Sequence, residues 1–269
     1  MKGIGSGSRM RIEAGSESLV SSAGAALLLR TAAVCGLDKG LRDGLARWRP
    51  ARGGLHDPGK TVLDLAVAIA LGGDCLADIG LVRAQPQLFG PVASDATVSR
   101  LVEALAADGQ AALAAIRRAR AAAREAVWGR RDPRAGVRGP VVIDLDATLV
   151  TAYSDKELAQ PTYKRGYGFH PLLAFLDHGA GGTGEPLAGM LRPGKAHAND
   201  AADQIAVLEA ALAQLPAGVR DGGVLVRGDA GSGVKKLLHH ITEAGLGYSV
   251  GLSAHQPIQA AVAALPEQA

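Results

Sequence analysis

The stretch Val141-Val142-Ile143-Asp144-Leu145-Asp146-Ala147-Thr148-Leu149-Val150 constrains this chain more than any other. Apolar, mostly β-branched residues lead into two aspartates and resume after them, the pattern of a buried strand. Side chains alternate faces along a strand, so Asp144 and Asp146 point the same way. Two carboxylates side by side in a central strand are costly to bury without a cation. One reading makes them a capped turn and a solvated edge carboxylate. The other makes them a metal or phosphoryl-handling site at the middle of an α/β domain, and the run is too apolar for an edge.

At 269 residues the chain can hold one large domain or two small ones. Aromatics make up only 3% of it, while Ala and Gly abound, so Ala/Leu helices and Gly-cut loops are expected. Cys35 and Cys75 are isolated. They exclude a disulfide framework and a zinc knuckle, and make a reducing cytoplasm the expected setting. Residues 1–11 are basic and Gly/Ser-rich without an apolar stretch, so they do not read as a signal peptide. No apolar run reaches membrane-spanning length, and no membrane partner is expected. Residues 1–140 hold 20 Lys+Arg against 13 Asp+Glu, whereas residues 141–269 hold 9 against 13. The net +3 therefore divides into +7 and −4. A basic first half suits nucleic acid, and suits solvated helix faces equally well.

In the first half, helices are expected over residues 18–37, 37–48, 63–71, 74–82, 94–107 and 111–128, with 50–59 a loop. The helix from Ser94 is the most pointed. Ser94 is a good N-cap and Asp95 sits in the first turn. Thr97, Ser99 and Arg100 follow near its start, where a helix-turn-helix recognition helix presents short polar side chains and an Arg to DNA. The alternative is a well-capped amphipathic helix with one surface Arg. A basic, turn-rich stretch over 129–134 marks a boundary, giving a helical, basic DNA-binding domain over 1–135 and an α/β domain over 136–269.

The second half reads as strands over 141–150, 162–176, 186–192, 224–226 and 248–252. Helices are expected over 200–215 and 233–244, and another begins at 258. The order is βββαβαβ. The first three strands are joined by connections too short for helical crossovers, so they pair antiparallel. The fourth and fifth follow helices and can run parallel to the first. This element order resembles the ribonuclease-H-like fold, whose first and fourth strands carry acids at the places held here by Asp146 and Asp229, and ligands in open α/β sheets bind at the carboxyl ends of strands.

The segments Asp144-Leu145-Asp146-Ala147-Thr148, Lys164 to Leu173 and Val226-Arg227-Gly228-Asp229-Ala230-Gly231 resemble the DDE transposases of bacterial insertion sequences. Gly72-Gly73-Asp74 and the stretch from Phe89 to Arg100 resemble the helical DNA-binding part of the same group. The resemblance implies a ribonuclease-H-like mixed sheet preceded by an all-α DNA-binding domain. It implies double-stranded DNA at insertion-sequence ends as the partner, a homodimer when intact, and a cytoplasmic, nucleoid-associated setting. Phosphodiester cleavage and strand transfer would use two Mg²⁺ ions, with Mn²⁺ able to substitute. Asp146 and Asp229 would be catalytic and metal-binding, with Asp144 a substitute or neighbouring ligand. Lys164, Arg165, His170 and Lys195 would contact DNA phosphates. The family's third acid, usually a Glu on a later helix, lies downstream of any residue assignable here, and Glu267 follows the fifth strand too soon. The resemblance thus implies an N-terminal fragment that does not cleave DNA alone.

Two other readings compete. Asp-x-Asp-x-Thr over 144–148 also fits haloacid-dehalogenase-like phosphatases, with Asp144 the nucleophile and Asp146 the general acid/base. That pattern expects a second acid soon after Asp229, and residues 230–233 carry none. It also expects a helical crossover after the first strand. The third reading is a non-catalytic chain that binds DNA through its N-terminal helices.

Overall fold

The computed structural model describes residues 24–50, 54–130, 140–179, 184–216, 218–253 and 255–265. The chain divides into two compact units, Met1–Ala126 and Val127–Ala269. The boundary expected at 135, the start of the helix expected from residue 18, and Glu267 lie outside the described residues.

The first unit is helical. It contains α1 (Ala25–Val34), α2 (Leu37–Gly44), α3 (Pro58–Ala70), α4 (Ile79–Arg83), α5 (Pro86–Phe89), α6 (Asp95–Ala106) and α7 (Gly109–Trp128), which runs two residues past the division. Val67, Ile79, Val82, Phe89 and Val98 form a buried cluster. α3 starts five residues before its expected position. Asp57 is its N-cap, with Oδ1 accepting from the Lys60 amide at 3.0 Å, and Pro58 takes the first helical position. The sequence Asp-Pro-Gly looks like a turn, but Pro is well suited to a first helical turn, where its missing N–H costs nothing.

The second unit is mixed α/β. Its elements are β1 (Val141–Ala147), β2 (Val150–Thr151), β3 (Gln160–Pro161), β4 (Tyr167–Phe169), β5 (Leu172–Asp177), β6 (Glu185–Met190), α8 (Ala201–Leu212), β7 (Val224–Gly228), α9 (Lys235–Glu243), β8 (Gly247–Val250) and α10 (Gln256–Ala263). Five strands form one mixed sheet in the order β6-β5-β1-β7-β8. β1 is antiparallel to β5 and parallel to β7, and β8 is parallel to β7. The strand expected over 162–176 divides into β4 and β5. β4 belongs to a small sheet, β2-β4-β3. Gly168 permits that pairing, because a Cβ there would lie 2.6 Å from the Ala152 amide nitrogen.

β1 sits at the centre of the large sheet but is buried on one face only. Val141, Ile143 and Leu145 enter a core with Leu172, Leu176, Val226 and, from the helices, Leu208, Leu237 and Ile241. Each such aliphatic side chain contributes about 1.5–3 kcal/mol when fully removed from water. The other face carries Val142, Asp144 and Asp146, and Asp146 is exposed. The sheet therefore needs no cation to exist: the alternation places the carboxylates on its wetter side. Among the described residues, no helix is long and apolar enough to cross a membrane.

Candidate active site

Parallel pairing of β1 with β7 puts Asp144 opposite Arg227 and Leu145 opposite Gly228. One position past that register, Asp146 and Asp229 stand at adjacent carboxyl ends. Both line an open cleft of ≈ 500 Å³ together with Asp144, Leu173, Phe175 and Arg227. Asp229 is held at the turn. Its Oδ1 accepts from the Gly231 amide at 2.9 Å and caps the short 3₁₀ turn Ala230–Ser232. Gly228 is required just before it, because a Cβ would lie 2.6 Å from the Ser232 Cβ.

Asp144 shares the face but not the situation of Asp146. Arg227 Nε donates to Asp144 Oδ1 at 2.5 Å and Nη2 to Oδ2 at 2.8 Å. Nη2 also donates to Asp177 Oδ2 at 2.8 Å. One guanidinium therefore links three adjacent strands. The two carboxylates raise the Arg227 pKa, by hydrogen bonding to Asp144 above all. The Asp177 pKa is lowered, first by the Gly179 amide and then by Arg227. This geometry removes the basis of the phosphatase reading. Both oxygens of its nucleophile are engaged by Arg227, and β1 leads into antiparallel strands rather than a helical crossover.

A buried polar layer supports the turn that bears Asp229. Gln204 on α8 is 1% exposed. Its Nε2 donates to Gly231 O at 3.0 Å and to Ala198 O at 2.6 Å, joining two loops. Arg192, 2% exposed, donates from Nε to His170 O and from Nη1 to His197 O and Asp203 Oδ2. His170 belongs to this layer: it is 1% exposed and its Nδ1 donates to Ala196 O at 2.7 Å. It is therefore no surface phosphate contact, in contrast to the expectation from its basic neighbours. Gln204 and Arg192 carry no sequence signal of their own. Their roles come from loops that fold back over α8.

Lys164 and Arg165 are exposed at the tip between β3 and β4, and Lys195 is exposed between β6 and α8. In the helical unit, Ser99 and Arg100 are exposed on α6. Thr97 is partly buried, and its Oγ1 meets Ser94 Oγ at 3.0 Å and accepts from Arg100 Nη2 at 3.2 Å. Ser94 is in the extended N-cap conformation but makes no side-chain bond to the helix backbone. Thr97 and Arg100 also border a largely apolar cleft with Trp48 and His56.

The donor set at the strand ends fits a hard divalent cation. Asp146 and Asp229 offer only carboxylate oxygens in an open cleft, with no imidazole or thiolate lining it. Asp144 does not converge with them: among the described residues, the only three candidate ligand atoms within 4.8 Å of one another belong to Asp74, Cys75 and Asp78. That cluster is a turn, in which Asp78 Oδ2 accepts from the amides of Asp74 and Cys75.

A mixed sheet with two acids at neighbouring parallel strand ends is compatible with the ribonuclease-H-like fold of DDE enzymes. The family described as Transposase DDE domain group 1 matches residues 2–269, and the chain belongs to that family. A search of curated proteins finds no match. The chain is thus of transposase type, a class that acts on DNA and generally uses divalent metal ions.

Proposed function

We propose that the chain acts at the double-stranded ends of a bacterial insertion sequence, in phosphodiester cleavage and strand transfer. Its sheet is read as ribonuclease-H-like, and its helical unit as the DNA-binding domain. The observation that carries the proposal is the pair Asp146 and Asp229, brought level by the parallel β1–β7 register in one open cleft. These two residues would hold Mg²⁺ or Mn²⁺. Bound there, two such ions would activate the attacking water or 3′-hydroxyl and stabilise the leaving oxygen. A third carboxylate would complete the ligand set.

The chain's own groups would do the positioning. Asp229 is fixed by its cap to Gly231, and that turn by Gln204, so the carboxylate is oriented before DNA arrives. Lys164, Arg165 and Lys195, all exposed, would neutralise backbone phosphates, which fixes register without reading sequence. Ser99 and Arg100 on α6 are the candidates for base contact. The setting is the cytoplasm, with a homodimer as the working form.

The test is strand cleavage of insertion-sequence end DNA with Mn²⁺, in the longest natural protein that carries these two positions. Asp146→Asn and Asp229→Asn are each expected to abolish cleavage while leaving the far-ultraviolet circular dichroism unchanged. Cleavage surviving in either variant would sink the assignment.

A further inference from the structure

The two rungs of the β1–β7 ladder carry different chemistry. The outer rung is Asp146 beside Asp229. The rung below it is Asp144 beside Arg227. Asp144 lies two residues before Asp146 on the same face, about 7 Å back along the strand. By position alone it is a third carboxylate of the cleft. Asp177 stands on the same face of β5, since it pairs with Val142.

We propose that Arg227 is a positioning residue that withholds Asp144 and Asp177 from the metal, so that only Asp146 and Asp229 present free carboxylate charge to it. The inference rests on the metal reading given above. Three donor–acceptor distances of 2.5, 2.8 and 2.8 Å tie one guanidinium to both carboxylates. The Asp144 contact is bidentate, through Nε and Nη2, and this planar fork matches a carboxylate as a lysine ammonium cannot. Arg227 and Asp144 line the cleft beside the two free acids, so the pair is close enough to act on a bound ion. A surface pair of this kind adds little to stability. Its effect is on charge: four carboxylates share this face, and one arginine cancels part of their field.

The experiment is calorimetric titration of the full chain with Mn²⁺, accompanied by thermal melts. Arg227→Gln frees Asp144, and Mn²⁺ is expected to bind about sevenfold tighter, the factor for one unit charge roughly 7 Å from a divalent ion at a water-like dielectric. Adding Asp144→Asn to that variant removes the freed charge, and affinity is expected to return to about the wild-type value. A purely structural role predicts the reverse: weaker binding and a lower melting temperature in Arg227→Gln, with no recovery in the double variant. Binding no tighter in Arg227→Gln than in the wild type overturns the proposal. Asp146→Asn is the control for the site itself. If it binds Mn²⁺ as well as the wild type does, the metal reading fails, and this inference fails with it. If Asp146→Asn loses binding but Arg227→Gln does not gain it, only the withholding role fails.

Discussion

In the helical unit the closest approaches run between backbones and methyl groups. The core of the α/β unit is built from branched aliphatic side chains, and its own tight glycine approaches, at Gly168, Gly194 and Gly228, lie outside that core. Gly40 and Gly44 of α2 face Ala119 and Ala115 of α7, so that a Cβ at Gly40 would lie 3.1 Å from the Ala119 Cβ. Gly59 of α3 lies directly on α2, where a Cβ would stand 2.5 Å from the Arg42 Cα. The sheet instead seats Ile143, Leu145, Leu172 and Leu208 in a core where each is at most 2% exposed. The difference teaches that the helix contacts of the first unit and the sheet core of the second fail in opposite ways. The first is damaged by adding atoms, because its helices touch through positions with no room. The second is damaged by removing them, because its core is filled by large side chains.

The largest expected effect tests the first half of that contrast. Gly59→Ala places a methyl group against the backbone of Leu41 and Arg42, which no rotamer can relieve. α2 and α3 must separate, at a cost of about 4 kcal/mol or more, beyond ordinary overpacking. Urea unfolding of the full chain measures the loss, and hydrogen exchange locates it in α2 and α3. A change below about 1 kcal/mol would show that α2 yields easily and that close backbone packing is not what holds the unit together.

Ile143→Ala tests the second half. Ile143 is fully buried in the central strand. Its truncation loses transfer free energy and leaves a cavity, for about 3 kcal/mol by the usual range for such changes. Hydrogen exchange is expected to rise in β1, β5 and β7. The Asp146–Asp229 pair lies on the opposite face, so Mn²⁺ affinity measured well below the melting temperature should hold. An Ile143→Ala loss below about 1 kcal/mol would show that the sheet core collapses around the deletion and is not limited by filled volume.

These packing modes also explain what could be read in advance. β1 and β7 are legible because each opens on a run of branched apolar residues, and the pattern that makes a strand is local. The placement of Asp146 and Asp229 at neighbouring strand ends is legible through the resemblance of the element order to the ribonuclease-H-like fold. The Asp144–Arg227 rung was not legible, since it depends on the register of two strands whose paired residues lie 83 positions apart. The burial of His170 is not legible for a related reason. Lys164 and Arg165 nearby suggest a basic surface, but the chain turns inward between β4 and β5 and the imidazole enters the Arg192 layer. Gly59 reads as a loop marker, because a glycine needed for close approach has no local signature.

The smallest effect concerns Asp64, a carboxylate on α3 that is 2% exposed within the helical unit. Lys60, one turn earlier, reaches its Oδ2 at 2.6 Å. Burial raises the Asp64 pKa, and the Lys60 hydrogen bond and charge only partly oppose it. The folded state therefore holds this proton more tightly than the unfolded chain does. Below the unfolded value of about 3.9 the group is neutral in both states and burial costs no charge. As pH rises from there through the raised folded value, ionisation favours the unfolded chain and stability falls. Asp64→Asn deletes this titration and nothing else that titrates. The variant's unfolding free energy minus that of the wild type should grow as pH rises from the unfolded value through the raised folded value, and then level off. Urea midpoints at half-unit pH steps measure it. A difference that shrinks over this window would mean that Lys60 outweighs burial, and that the helical unit gains from its one buried ion pair on α3.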